Sequence, residues 1–194
     1  MARLFTAIEL DAEPRERIAA YQAELATAIG GDRSGRLRFV RAAQLHLTIV
    51  FLGEIAVARI PAVVEAMTLD LAMPPFDIEF ASCGVFPPHG PARVLWLGVR
   101  DGARETTLLF ELVSERLEKV GVPRERRPFA PHLTLGRWRD GALRDPRPLL
   151  PETGVVAVQS VSAVTLFHSR LLSEGPEHRR LAQARLSGLQ GALH

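Results

Sequence analysis

The alternation of apolar and polar positions along the chain predicts strands and helices that follow one another throughout its length. Residues 2–10 alternate and are rich in residues that favour strands, whereas residues 11–31 carry an apolar stripe at helical spacing and end in two glycines. The clearest amphipathic helix covers residues 106–121, where a glycine ends the pattern. Its predicted buried side consists of Leu108, Leu112, Leu117 and Val120.

The rest of the chain is predicted to form further strands around one more helix. That helix covers residues 60–71, with Pro61 in its first turn. Further strands are predicted over residues 36–40, 45–53, 76–86, 92–99, 132–138 and 155–172. Residues 178–186 fit a strand and a helix equally well. No linker divides the chain, so we expect residues 1–194 to form one bilobal α+β domain with antiparallel sheets facing each other across a cleft.

Composition narrows the class of protein. With 194 residues, 47% of them hydrophobic, the chain is long enough for a sizeable core. Its single cysteine, Cys83, excludes an intramolecular disulfide and a zinc site made of several cysteines. The N-terminus becomes charged too early for a signal peptide, and no apolar run approaches the ~20 residues of a membrane span. We therefore expect a cytoplasmic protein with no membrane partner, and a monomer by default.

Positive charge is carried almost wholly by arginine. The formal net charge is only +2, yet all but one of the 24 cationic residues are arginines, the exception being Lys119. Guanidinium groups bind phosphate through paired hydrogen bonds, although most of these arginines are expected on solvated faces. Cationic segments at residues 35–41 and 124–128 each precede a histidine-bearing strand. The modest net charge favours contact with a few nucleotides over a long RNA track.

The tripeptide His-Leu-Thr occurs twice, at residues 46–48 and 132–134, in a chain with six histidines. Side chains alternate between the two faces of a strand. The histidine and threonine of each tripeptide therefore share one face, while the leucine packs on the other. Two such strands, each following an arginine-rich segment, predict one shared site. Its candidate members are His46, Thr48, His132 and Thr134.

The same alternation bears on three neighbouring side chains. Arg137 is a candidate contact for phosphate or RNA, but in a regular strand it projects away from His132. Only a β-bulge, or an end of the strand at Gly136, would bring it to the site. Aromatic rings stack on the bases of single-stranded RNA, which makes Phe39 and Phe51 candidates for base binding. Alternation assigns Phe51 to the core, so Phe39 is the preferred candidate.

Two histidines and two hydroxyl groups around one point suit phosphodiester cleavage without a metal. A histidine with a pKa near ~6.5 gains or loses a proton at neutral pH, so one of the pair can act as base and the other as acid. The attacking oxygen must lose a proton while the leaving oxygen gains one. The threonine hydroxyls can donate hydrogen bonds to the non-bridging oxygens. By symmetry, either His46 or His132 could be the base.

Two other interpretations stay open from the residues alone. A zinc site could combine His46 and His132 with Cys83 or His168, although no carboxylate occurs at matching spacing. Alternatively, an RNA-binding protein without turnover would use the arginines and the cleft to hold an RNA end. Binding alone does not require two proton-transfer groups, whereas hydrolysis does, and this difference favours the enzyme.

Segments distributed along the chain resemble the 2H phosphoesterase superfamily, and within it the bacterial and archaeal RNA 2′,3′-cyclic phosphodiesterases, also called 2′-5′ RNA ligases. The resemblance is carried by HLTIVFLGEI (46–55), CGVFPPHGPARVLWLGV (83–99) and PHLTLGR (131–137), and it extends over nearly the whole chain. It implies a bilobal fold with two antiparallel sheets and outer helices, arranged pseudo-twofold around a central cleft. It also implies hydrolysis of a terminal 2′,3′-cyclic phosphate on RNA to a 2′-phosphate, without a metal or cofactor.

The resemblance further implies roles for the site residues. His46 would be the proton donor to the leaving 3′-oxygen and His132 the proton acceptor that activates water. Thr48 and Thr134 would hold the phosphate. The implied partners are RNA or oligonucleotide ends and small cyclic nucleotides, and the reverse reaction would give weak 2′-5′ RNA ligation. Where relatives often carry a tyrosine near the C-terminus, this chain has His178, which we take as peripheral.

Overall fold

The fold was analysed in a computed structural model, which describes residues 1–29, 37–142, 144–152, 154–172 and 175–188. The side chains of residues 171 and 172 are outside that description. The predicted glycine stop at residues 30–31 and the first two residues of the 35–41 cationic segment also lie outside the described residues.

The described residues form nine strands and three α-helices. The strands are β1 (Ala2–Glu9), β2 (Leu37–Phe39), β3 (His46–Ile55), β4 (Phe76–Phe86), β5 (Val94–Val99), β6 (His132–Trp138), β7 (Val155–Val161), β8 (Ala163–Leu172) and β9 (Gly175–Arg185). The helices are α1 (Ala12–Ala28), α2 (Ile60–Ala66) and α3 (Ala103–Lys119). Short 3₁₀ turns lie at residues 42–44, 57–59 and 147–149. No helix within the described ranges is both long and apolar enough to cross a membrane.

All the named strand pairings are antiparallel, and the strands follow the order β7-β4-β5-β6-β3-β1-β8-β9, with β2 added on β6. The junction between β6 and β3 has a single registered pair, Leu47 with Leu133. The α+β prediction is therefore confirmed, with the two expected sheets present as two halves joined at the two His-Leu-Thr strands. The two halves correspond in the order of their elements. Strand β1 and helix α1 precede β3, and strand β5 and helix α3 precede β6.

The long helices cover one face of this sheet and bury the leucine side of both central strands. Helix α1 contacts β7 and helix α3 contacts β3, so each packs across to the other half of the sheet. Leu47 and Leu133 are fully buried in the main core, as alternation predicted. The helices thus occupy the leucine face and leave the histidine face of β3 and β6 uncovered.

Two helix predictions were wrong in detail. On α3, Leu108 is 51% exposed, whereas Leu109 and Val113 are fully buried with Leu117. The buried stripe follows i, i+4 spacing through these three residues, which turns Leu108 towards solvent. Helix α2 does begin with Pro61 in its first turn but ends at residue 66, short of the predicted 71. Residues 178–186, which were ambiguous, lie almost entirely in strand β9.

Candidate active site

Both histidines stand at the first position of neighbouring antiparallel strands. Because Leu47 faces Leu133, continuing the register sets His46 opposite Thr134 and Thr48 opposite His132. Side chains directly opposite on antiparallel strands have Cβ atoms about 4.5–5.5 Å apart. All four side chains are half-buried and lie on the face away from the main core. The fold therefore brings the four residues into one crossed arrangement of two imidazoles and two hydroxyls.

Each imidazole is held by the backbone two residues before it. The Nδ1 atom of His46 lies 2.7 Å from the carbonyl oxygen of Gln44, and Nδ1 of His132 lies 2.7 Å from that of Ala130. Since a carbonyl oxygen can only accept, Nδ1 must donate in both rings. The Nε2 atom is then the nitrogen of each ring that remains available for proton transfer.

A β-bulge in β6 decides the position of Arg137. Leu135 has no partner in the pairing with β5 because the register shifts by one residue there. The extra residue reverses the alternation beyond it, so Arg137 projects on the side of His132. The Arg137 side chain is exposed, and its positive charge lowers the pKa of both His132 and His46. The structure thus contains the β-bulge that is needed to bring Arg137 to the side of the histidines.

Strand β3 contains a corresponding bulge, which overturns the assignment of Phe51 to the core. Ile49 has no partner in the pairing with β1. Beyond it Phe51 is 65% exposed, and its ring centroid lies 6.2 Å from that of Phe5. Phe51 follows His46 by the same five positions that separate Arg137 from its own histidine. The two bulges therefore set an aromatic ring and a guanidinium in matched places.

Phe39, the preferred candidate for base binding, lies beside the bulge of β6. It pairs with Gly136 across β2 and β6, and the neighbouring Val40 N–H donates to the carbonyl of Leu135 at 2.8 Å. The Phe39 ring is half-buried and packs against the main core. Of the two candidates for base binding, Phe51 is accordingly more exposed than Phe39.

A cavity of about 130 Å³ adjoins His46. It is lined by Phe5, Glu9, Leu10, Arg15, Ala43, Gln44, Leu45, His46, Phe167, His178 and Arg180. Phe5 and Phe167 stack with centroids 5.2 Å apart and form a small cluster of their own, separate from the main core. The cavity beside His46 is therefore lined by both aromatic and charged side chains.

His178 belongs to this pocket, so the prediction that it is peripheral was wrong. Its ring stands edge-on to those of His46 and Phe5, with centroids 5.4 Å and 4.9 Å away. Strand β9 pairs with β8, the neighbour of β1, and this pairing brings His178 to the site. No local pattern in the sequence indicates this contact, because it joins residues far apart in the chain.

Burial is the largest cause of the lowered pKa of His46, which falls from 6.5 to about 4. The nearby His178 and Arg137 lower the pKa further. The hydrogen bond to Gln44 and the negative charge of Glu9 act in the opposite direction. Burial likewise lowers the pKa values of His132 and His178. In the free protein at neutral pH, the imidazole of His46 is therefore uncharged, and an anion beside it would favour its protonation.

The second half of the site has its own aromatic wall. The ring of Phe86 stands edge-on to His132 with centroids 5.0 Å apart, and it lies 5.4 Å from the ring of Trp96. A Cβ atom at Gly84 would come within 2.2 Å of the indole, so only glycine permits Trp96 to lie flat across β4. Each histidine consequently has an aromatic neighbour, but the aromatic residues around His46 and around His132 differ.

The other residues of the zinc hypothesis do not join the pair. Cys83 contacts the carbonyl of Pro151 at 3.8 Å, and His168 is paired with Leu4 on the far side of β1 from β3. Within the described part of the chain, no group of three or more His, Cys, Asp or Glu side chains is arranged to hold a metal ion.

Comparison with known proteins gives consistent matches. A family model described as LigT like phosphoesterase matches residues 8–96. An RNA 2′,3′-cyclic phosphodiesterase of Archaeoglobus fulgidus is 35% identical over 135 residues, covering 70% of this chain and 72% of that protein. One of Methanothermobacter thermautotrophicus is 32% identical over 188 residues, covering 95% and 98%. The crystal structure of E. coli LigT complexed with 3′-AMP superposes with a TM-score of 0.77 at 28% identity, covering 96% and 98%.

Proposed function

We propose a function on the premise that the chain belongs to the LigT-like phosphoesterase family of RNA 2′,3′-cyclic phosphodiesterases. The protein hydrolyses a 2′,3′-cyclic phosphate at an RNA end to a 2′-phosphate. The observation that carries this proposal is the crossed pair of histidines, each with Nδ1 tied to a backbone carbonyl and Nε2 left for proton transfer. Curated relatives from several organisms bear the name of this activity.

The reaction follows from the two imidazoles and the phosphorus between them. His132 Nε2 accepts a proton from water as the water oxygen forms a bond to phosphorus. The bond from phosphorus to the 3′-oxygen breaks, and His46 Nε2 donates its proton to that oxygen. Thr48 and Thr134 donate hydrogen bonds to the non-bridging oxygens, and the guanidinium of Arg137 balances their charge. An RNA 5′-hydroxyl in place of water would lose its proton to His132 and bond to the same phosphorus, and this would give weak 2′-5′ ligation.

The low pKa of His46 in the free protein is compatible with its role as proton donor. A phosphodiester carries one negative charge, which favours the imidazolium next to it and neutralises the repulsion from Arg137. Substrate binding is then accompanied by proton uptake at His46. The donor becomes charged only when there is a leaving oxygen to receive its proton.

The nucleobase next to the cyclic phosphate stacks on an aromatic ring at the site. The exposed ring of Phe51 lies 6.2 Å from that of Phe5, which in turn lies 5.0 Å from the ring of His46. Phe39 stays a prediction for the same role, with a more buried ring. That a structural relative is complexed with 3′-AMP agrees with a nucleotide in this family's site.

Incubation with adenosine 2′,3′-cyclic phosphate, with separation of 2′-AMP from 3′-AMP, tests the proposal. We expect 2′-AMP from the wild type, little from His46→Ala or His132→Ala, and wild-type rates from His89→Ala, whose side chain is exposed in a loop. Undiminished turnover by either catalytic variant would contradict the mechanism. Activity retained in excess EDTA separates it from a zinc enzyme. Tight binding of the nucleotide without turnover would favour an RNA-end-binding protein.

A further inference from the structure

The surroundings of the two histidines differ at several positions, and one of these lies on the strand next to each histidine. In the pairing of β1 with β3, the residue opposite His46 is Glu9. In the corresponding pairing of β5 with β6, the residue opposite His132 is Gly98. A carboxylate therefore stands on the strand next to one histidine, whereas the equivalent place beside the other has no side chain.

The carboxylate of Glu9 is fixed in place by three hydrogen bonds or ion-pair contacts. Arg180 Nε donates to Oε1 at 2.8 Å, and Nη2 of the same guanidinium lies 2.7 Å from that oxygen. Thr165 Oγ1 donates to Oε2 at 2.9 Å, and Gln183 in turn donates to that hydroxyl at 3.2 Å. Three residues of β8 and β9 thus orient a carboxylate that itself belongs to β1.

Charged and titratable groups face His46 from several elements. Glu9 comes from β1, Arg137 from β6, and His178 with Arg180 from β9, while Arg15 of α1 also lines the cavity. Glu9 is the only anionic side chain among those that line this cavity within the described residues. Substrate phosphate offsets Arg137, so in the complex Glu9 is left to favour the charged imidazole.

We propose that Glu9 is the positioning residue that makes His46, rather than His132, the proton donor. The inference rests on the proposed function, since a donor is needed only if a phosphodiester is cleaved. The two His-Leu-Thr tripeptides are identical and do not by themselves divide the acid and base roles. A negative charge on the neighbouring strand stabilises an imidazolium at His46, and Gly98 offers no such charge to His132. Arg180 and Thr165 keep the carboxylate from turning to solvent.

The pH dependence of kcat/KM for the cyclic nucleotide tests Glu9→Gln against Glu9→Asp. On the alkaline side of the pH profile, kcat/KM depends on the fraction of His46 that is protonated. We expect Glu9→Gln to lower kcat/KM there about threefold. This magnitude follows from the Coulomb interaction between side chains on neighbouring strands in a water-like medium. Because the pKa of His46 in the free protein is about 4, the loss should be present at every pH above that value and disappear only below it, where neutral His132 limits kcat/KM. Glu9→Asp should restore much of the loss. The matched control is Glu79→Gln, which alters a Glu–Arg pair of 2.6 Å with Arg100 away from the histidines.

A titration of the histidine ring signals by NMR provides a readout that needs no turnover. The pKa of His46 should fall in Glu9→Gln and stay at the wild-type value in Glu79→Gln. A His46 titration that Glu9→Gln leaves unchanged, or a kcat/KM above pH 5 that it leaves unchanged, would overturn the inference. If the wild type opened no cyclic phosphate, the proposed function would fail, while the titration would still decide whether Glu9 acts on His46.

Discussion

The buried His46 imidazole should make the protein measurably sensitive to acid. In the unfolded chain this group has a pKa near 6.5, whereas in the folded protein burial lowers it to about 4. Between these values the unfolded state binds more protons than the folded state. The free energy of unfolding therefore falls as the pH drops through 6.5 and levels off below about 4. At about 1.4 kcal/mol per pKa unit, the full contribution of His46 is about 3 kcal/mol.

Urea unfolding at pH 8 and at pH 5 measures this contribution. By pH 5 about 2 kcal/mol of the His46 contribution is lost, according to the linkage relation between the two pKa values. We expect the wild type to lose about 2 kcal/mol more between these pH values than a His46→Gln variant, which has no proton to bind. Other titrating groups are present in both proteins, so their contributions largely cancel in the difference.

The matched control is His89→Gln, the same exchange at an exposed loop position. It should keep the acid loss of the wild type. If His46→Gln lost as much stability between pH 8 and pH 5 as the wild type does, His46 would not be buried in its neutral form. Substrate binding would then not be accompanied by proton uptake at His46.

Three further results are expected from single substitutions. Thr134→Val, which removes one hydrogen-bond donor to the phosphate, should lower kcat for the cyclic nucleotide about 100-fold without unfolding the protein, as steady-state kinetics and circular dichroism would establish. Phe51→Ala should raise KM for adenosine 2′,3′-cyclic phosphate about tenfold through lost stacking, whereas Leu108→Ala, which truncates another exposed apolar side chain on α3, should leave it unaltered. Gly84→Ala should lower the unfolding free energy by about 1–3 kcal/mol because a methyl group collides with Trp96, and an unchanged urea midpoint would contradict that packing.

Strand alternation was sufficient to predict the faces of the two tripeptides, because it depends only on local backbone geometry. It placed Leu47 and Leu133 in the core and turned the histidines away from it, as the structure does. The same rule failed at Phe51 because a bulge adds one residue to the strand. The sequence does contain a signal for that bulge, since Ile49 and Val50 are two consecutive apolar residues after a threonine and both are buried.

The environment of His46 could not be predicted in the same way. His178 reaches it through the pairing of β8 and β9, and Glu9 through the pairing of β1 and β3. Both contacts depend on the order of strands in the sheet, which hydrophobic patterns do not determine. The resemblance to a known family indicated the fold and the histidines. It did not indicate a role for His178, because that position departs from the tyrosine that relatives often carry.

The two halves of the sheet repeat the backbone of the site more closely than its charges. The matched bulges set Phe51 in one half where Arg137 stands in the other, and the matched outer strands set Glu9 where Gly98 stands. A phosphodiester is itself asymmetric, since water enters on one side of phosphorus and a ribose oxygen leaves on the other. A symmetric pair of histidines supplies two proton-transfer groups, but only unequal neighbours can keep one as the acid and the other as the base. On the proposed mechanism, the carboxylate is accordingly needed beside the histidine that protonates the 3′-oxygen, while the ribose stays bonded to phosphorus through its 2′-oxygen.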